Sequence, residues 1–200
     1  MDWIDESRNI KIQNQLGESL ATLHNAHDEF FGFQFNNKIG INPQINNPEG
    51  KIKEWAEFFW NCRINFQIEL ARKNNLITPD QNTKLLNLKE SVYRKLDIKI
   101  LPSLLHGDLW SGNYIANSIG PFFIDSAAYY GHREVDFALT YMFGGFSKEF
   151  YKSYEKRLPF EENHEERKPI YMIYHYLNHL NLFGRSYLDG VLNCHQKIIN

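Results

Sequence analysis

Apolar residues recur at helical spacing over most of the chain. Leu16, Leu20, Leu23 and His27 follow one another at i, i+4, i+7 and i+11, one face of a helix. Trp55, Phe58, Phe59, Cys62, Phe66 and Leu70 predict a second, strongly amphipathic helix. Thr78-Pro79-Asp80 has the chemistry of a helix start, with Thr as cap and Pro in the first turn; the helix it opens runs through Leu85, Leu88, Val92 and Leu96. Further helices are expected over about 134–143, 148–157, 168–183 and 187–199. The stretch from Phe31 to Gly50 is dense in Gly, Asn and Pro and predicts a long loop. Between Leu101 and Ser126 the helical period breaks down. Leu104-Leu105 is a short apolar run that ends at His106. Tyr114-Ile115-Ala116 and Phe122-Phe123-Ile124 are short strands, and the turn residues between them predict a hairpin. The fold class is mostly α with a small central β-hairpin.

Composition narrows the function classes without naming one. Twenty-two basic residues against 24 acidic ones leave a net charge of −2, so no basic excess exists to displace counterions from nucleic acid. A hydrophobic content of 42%, with 15 Phe, 11 Tyr and 4 Trp, excludes a disordered chain. No apolar run is long enough for a membrane span, and the first residues have neither the basic nor the apolar region of a signal peptide. Two cysteines, Cys62 and Cys194, lack metal-ligand spacing and fit thiols in a reducing cytoplasm. Neither a nucleic acid nor a membrane is expected as a partner.

The chemistry concentrates in His106-Gly107-Asp108-Leu109-Trp110-Ser111-Gly112-Asn113, between the helical first half and the hairpin. His-Gly-Asp alone is a turn signal. Here it is followed by Asn113 four residues beyond the triplet's neighbour Leu109, and by Asp125 at the exit of the hairpin. That spacing matches the catalytic loop of the kinase template, in which an Asp orients and deprotonates the acceptor hydroxyl. Asn113 and Asp125 would offer oxygens to Mg²⁺, a hard cation that takes few protein ligands and completes its shell with phosphates and water. The hairpin would bring these two residues together from a dozen positions apart.

LLHGDLWSGN followed by FFIDSAAYYGHREVDFALTYMFGGF resembles the fructosamine kinase (ketosamine-3-kinase) family, within the aminoglycoside-phosphotransferase-like kinases. LGESLATLH, the NNKIG…PQ segment and ERKPIYMIYHYLNHLNLFGRSYL extend the resemblance over the whole chain. It implies a protein-kinase-like α+β fold, ATP and Mg²⁺ as cofactors, and phosphorylation of a hydroxyl on a ketosamine, free or protein-bound. By the same resemblance Asp108 is the catalytic base and Asn113 and Asp125 are the metal ligands. His106 supports the loop backbone. The family's usual Pro after the metal Asp is Ser126 here, which frees an N–H but removes no ligand. No glycine-rich loop or Lys-bearing strand precedes Leu16, so the resemblance is to the C-terminal lobe alone, over 6–200. Residues 1–5 resemble the end of the interlobe hinge, with Met1, Asp2 and Trp3 against the nucleotide. Without a partner lobe, an apolar face would be exposed and invite self-association. The alternatives are a kinase for another small alcohol, of the aminoglycoside or choline type, and a non-catalytic remnant that binds a sugar or a protein.

Other residues are candidates from position. Trp110 lies in the loop, where stacking on a sugar ring competes with simple anchoring. His132 and Arg133 follow the metal Asp where a kinase places its activation segment, and could meet acceptor or phosphate. Asp136 is expected to accept backbone N–H groups around His106-Gly107. His175 and His179 have zinc-like i, i+4 spacing but no intervening general base, and are expected to pack.

Overall fold

A computed structural model describes residues 10–47, 49–117 and 119–200. The chain begins with α1 (Ile10–His24), continues into β1 (Asn37–Ile39) and β2 (Asn42–Gln44), and then into α2 (Trp55–Phe59). A π-helical turn (Trp60–Asn65) joins α2 to α3 (Phe66–Lys73), followed by α4 (Pro79–Leu86) and α5 (Lys89–Lys95). The middle of the chain supplies β3 (Ser103–Leu105), β4 (Tyr114–Ala116), β5 (Pro121–Phe123) and β6 (Tyr129–Gly131). A 3₁₀ turn (Arg133–Asp136) leads into α6 (Phe137–Phe143), then α7 (Lys148–Arg157), α8 (His164–Phe183) and α9 (Leu188–Ile199).

Two apolar clusters hold these elements. The larger collects α2, α3, α8 and α9 around Phe58, Phe59, Ile68, Ile173 and Leu177. The smaller joins α1 to α7 and to the base of the β4–β5 hairpin through Leu16, Leu20, Leu109, Tyr114, Phe137 and Phe150. The α1–α7 contact requires Gly17: a Cβ there would lie 2.3 Å from the Phe150 carbonyl oxygen, so the two helices touch backbone to backbone. At the start of α4, Thr78 Oγ1 accepts from Gln81 N–H at 3.2 Å and Gln81 Oε1 accepts from Thr78 N–H at 2.9 Å, a complete capping box.

Among the described residues the strands form three antiparallel pairs, one of them legible in the sequence. β4 pairs with β5 in the register Tyr114↔Phe123, as the apolar spacing implies. The stretch from Phe31 to Gly50 is not all loop, because β1 and β2 pair within it through Asn37↔Gln44. β3 pairs with β6 through Leu105↔Tyr129, so the segment after Asp125 returns alongside the strand that leads into His106. The helix expected from residue 78 to 96 is two helices, and the one expected from about 168 starts at His164. Met1, Asp2 and Trp3, with the rest of the hinge assignment at 1–5, lie outside the described residues. Among the described residues no helix is long and apolar enough to cross a membrane.

Candidate active site

The loop between β3 and β4 is shaped by a buried carboxylate beneath it. Asp136, in the 3₁₀ turn before α6, accepts from His106 N–H with Oδ2 at 2.7 Å and from Gly107 N–H with Oδ1 at 2.8 Å. Oδ2 also accepts from His24 Nε2–H at 3.0 Å, and Tyr154 OH donates to His24 Nδ1 at 2.8 Å. Burial pushes the Asp136 carboxyl up, but the bond and charge of His24, then His106 and the Gly107 N–H, outweigh it and hold the group below its ordinary range. Burial also lowers His24, against the upward pull of its bond to Asp136 and of the Asp136 charge. Gly107 has φ +83°, and a Cβ on it would fall 2.0 Å from the Ala127 carbonyl oxygen. No other residue gives the loop this turn against the segment after Asp125.

His106 closes the loop from the other side. Its Nδ1 receives the Asp108 N–H at 3.2 Å, so the ring hydrogen is on Nε2, which donates to the Ile124 carbonyl at 2.9 Å. The imidazole thus ties the backbone of Asp108 to the residue before Asp125. Asn113 completes the arrangement: its Nδ2 donates to the Asp108 carbonyl at 2.8 Å and to Asp108 Oδ2 at 3.2 Å. Both amide hydrogens being turned towards Asp108, Oδ1 faces away as an oxygen donor. The Ile124 N–H donates to the Asn113 carbonyl at 3.0 Å, one step beyond the β4–β5 ladder. Asn113 and Asp125 therefore sit at the same open end of the hairpin. Asp125 is solvent-exposed and holds φ +53°, a left-handed conformation that, Gly aside, Asn and Asp adopt more readily than other residues.

Asp108 is half-buried. Burial raises its carboxyl above the ordinary range; His106 and the Asn113 bond pull it back, and the charges of Asp136 and Asp125 push it up again. A raised carboxylate is a stronger base, and this one is within reach of solvent beside Asn113. Among the described residues no group of three or more His, Cys, Asp and Glu is assembled to hold a metal. Two oxygens, Asn113 Oδ1 and the Asp125 carboxylate, fit a hard cation that takes its remaining ligands from phosphates and water.

The other candidates divide. Trp110 is 43% exposed, its indole lying against Gly112. His132 and Arg133 do not face the site. His132 is buried and accepts from Tyr171 OH with Nδ1 at 2.6 Å. Arg133 turns to the opposite side, donating to the Leu158 carbonyl at 3.0 Å, to the Pro159 carbonyl, and to Glu161 Oε1 at 2.9 Å. The reason is the 3₁₀ turn, which buries all four residues from Arg133 to Asp136 and aims only Asp136 at the loop. The structure thus does not bring His132 or Arg133 to the loop that holds Asp108. His175 and His179 also pack: His175 is buried, and His179 Nδ1–H donates to the His175 carbonyl at 2.8 Å within an aromatic group of Phe143, Phe183 and Tyr187. His24, the partner of Asp136, was not singled out for this task from sequence, although it lies four residues after Leu20 on the buried face of α1.

Comparison with known proteins places this geometry in a lineage. The family model described as fructosamine kinase matches residues 1–200, the whole chain, and so does not support confining the resemblance to a single lobe. A "probable ketoamine kinase" of Enterococcus faecium is 41% identical over 94% of this chain and 66% of its own length. A "protein-ribulosamine 3-kinase, chloroplastic" of Arabidopsis thaliana is 38% identical over 96% of this chain and 59% of its own. The chain thus spans about two thirds or less of the curated relatives it matches. The crystal structure of a "putative fructosamine-3-kinase" from Thermobifida fusca superposes with a TM-score of 0.90 at 28% identity, covering all of this chain and 69% of that one. An aminoglycoside phosphotransferase matches with a TM-score of 0.55 at 13% identity, a likeness of fold alone.

Proposed function

This chain belongs to the fructosamine kinase family, and on that premise we propose that it carries the base and the metal ligands of an ATP-dependent ketosamine kinase. The observation that carries the reading is the assembly at the hairpin mouth: Asn113 bonded to Asp108, and Asp125 brought to the same end by the β4–β5 ladder. The acceptor is a sugar hydroxyl of a fructosamine- or ribulosamine-type adduct, free or on a protein. Asp108 orients that hydroxyl and takes its proton as the new O–P bond forms and the bond to the departing ADP oxygen breaks. Asn113 holds the Asp108 carboxylate in place and, with Asp125, supplies oxygens for Mg²⁺. The ion would neutralise charge on the transferred phosphoryl group. Asp136 and His106 fix the loop backbone, so the base is in place before substrate arrives. The Trp110 indole offers a stacking face for the sugar.

Positioning supplies nearly all the rate in this chemistry, and these 200 residues span about two thirds or less of the curated relatives they match, so by themselves they are expected to turn over slowly. Fusing the N-terminal lobe of a ketoamine kinase in front of Met1 should raise turnover. Phosphorus NMR of the product decides the substrate: a phosphorylated ketosamine supports the reading, whereas phosphorylation only of an aminoglycoside or choline would overturn it. The cytoplasm and a role in removing sugar adducts from proteins follow from the same reading.

A further inference from the structure

The β1–β2 hairpin lies outside the catalytic loop, yet its polar side chains end on the segment that follows Asp125. Gln44 is buried, and every polar position of its side chain is used. Nε2 donates to the Ala127 carbonyl at 2.8 Å and to Asn37 Oδ1 at 2.9 Å, while Oε1 accepts from Tyr174 OH at 3.0 Å. Asn37 Nδ2 donates to the next carbonyl, Ala128, at 2.9 Å. Asn37 Oδ1 also accepts from Asn46 Nδ2 at 2.8 Å, and Asn46 Oδ1 accepts from Arg63 Nη2 at 2.8 Å. Arg63 is fully buried in the π-helical turn, its guanidinium 3.9 Å from the Tyr129 ring. Three amides and one guanidinium thus form a closed network from the helical core to two consecutive carbonyls.

Those carbonyls matter because of what surrounds them. The Ala127 oxygen is the atom against which Gly107 packs with no room for a Cβ. Two residues upstream, Asp125 keeps its left-handed φ of +53°. A non-glycine residue stays in that region only when its surroundings hold it there. Upstream, His106 Nε2–H grips the Ile124 carbonyl; downstream, Gln44 grips the Ala127 carbonyl. We propose that Gln44, with Asn37 beside it, is a positioning residue for Asp125: its amide fixes Ala127 and so sets where the Asp125 carboxylate meets the metal. This rests on the reading of Asp125 as a metal ligand.

Two readouts test it. In Gln44→Leu, hydrogen exchange over 122–130 in the ligand-free protein should speed up. The Mn²⁺ concentration that half-saturates the protein with ATP, followed by water proton relaxation, should rise about tenfold, the low end for loss of a partner behind a metal ligand. Asn37→Ala, at a less buried position, should move both readouts in the same direction by less. Leu85→Ala, in the core of α4, should lower the melting temperature without moving either. If Gln44→Leu and Asn37→Ala melt early but exchange and bind Mn²⁺ as the unaltered protein does, Gln44 is merely structural and the inference is overturned. If the unaltered protein binds no Mn²⁺ with ATP, the functional reading falls and takes the metal half of the inference with it. The exchange measurement uses no ligand and decides the positional half by itself.

Discussion

Replacing Asp136 by Asn changes one atom and should loosen the whole catalytic loop. The carboxylate accepts three hydrogen bonds, at 2.7, 2.8 and 3.0 Å, from His106 N–H, Gly107 N–H and His24 Nε2–H. An amide has one accepting oxygen. Placed where Oδ2 is now, it keeps His106 and His24 but turns its NH₂ against the Gly107 N–H. Leaving that buried donor unpaired costs about 1–3 kcal/mol. The two surviving bonds lose their charge assistance, about 1 kcal/mol each. Relief of the buried charge does not cancel this. Burial does raise the Asp136 carboxyl, but its partners more than compensate and hold it below its ordinary 3.8. The net loss is about 3–5 kcal/mol, or roughly 6–20 °C in melting temperature for a chain of this size. The sign with pH follows: a depressed carboxyl contributes fully above its unfolded value, and the contribution is lost as pH falls through the lower folded value. The gap between Asp136→Asn and the unaltered protein is therefore full at pH 7 and closes in strong acid. Urea unfolding and exchange of the Gly107 amide measure it. A loss below about 1 kcal/mol, or an unchanged Gly107 exchange rate, would refute the reasoning.

Three further outcomes follow from the packing. Burial pushes the His175 imidazole down to about 3, and His132 is lowered by burial, then by Arg167 and Arg133. The unfolded chain takes up those protons near pH 6.5 and the folded one does not, so stability should fall as pH drops below 6.5, by about 2 kcal/mol at pH 5 for His175 alone; urea midpoints that stay flat from pH 7.5 to 5 would contradict this. Arg167 grips Glu134 with Nε at 2.8 Å and Nη2 at 2.6 Å, both side chains nearly inaccessible, so Arg167→Met should cost about 3–5 kcal/mol in thermal unfolding, and adding Glu134→Leu should recover much of it. The β4–β5 hairpin turns Ile115 and Phe122 to solvent; the 200 residues alone should therefore self-associate and bind a hydrophobic dye, and Ile115→Ser with Phe122→Ser should reduce both in light scattering and fluorescence.

Local chemistry was legible in the sequence and long-range chemistry was not. The run from His106 to Asn113, with Asp125 a dozen residues on, has fixed offsets, and a hairpin announced by two short apolar runs and the turn residues between them lies in between. Helices with a periodic apolar face, such as α1 with Leu16 and Leu20, could be read for the same reason. β3 and β6 could not: they are as short as β4 and β5, but the loop at His106 and that hairpin lie between them, so no turn residues announce their pairing. β1 and β2 hide among turn residues because Asn37, Asn42 and Gln44 face inward for hydrogen bonds, contrary to the rule that inward positions are apolar. The Asp136–His24 pair joins residues 112 apart, and no local pattern announces such a partner. His132 and Arg133 illustrate the opposite error. Two polar residues a few positions after Asp125 suggested contact with substrate, but both side chains turn inward, His132 Nδ1 to Tyr171 OH and Arg133 to Glu161.

The claim that Asp108 is the base is tested most directly by single-turnover phosphorylation of a ketosamine with Asp108→Ala, in the N-terminally extended protein described above. The account predicts that the chemical step slows by about 10²–10⁴-fold, the usual worth of a positioned base. Binding of Mg·ATP should be nearly unchanged, because Asp108 addresses the acceptor hydroxyl and not the nucleotide. A variant that transfers the phosphoryl group at the rate of the unaltered protein would contradict the account.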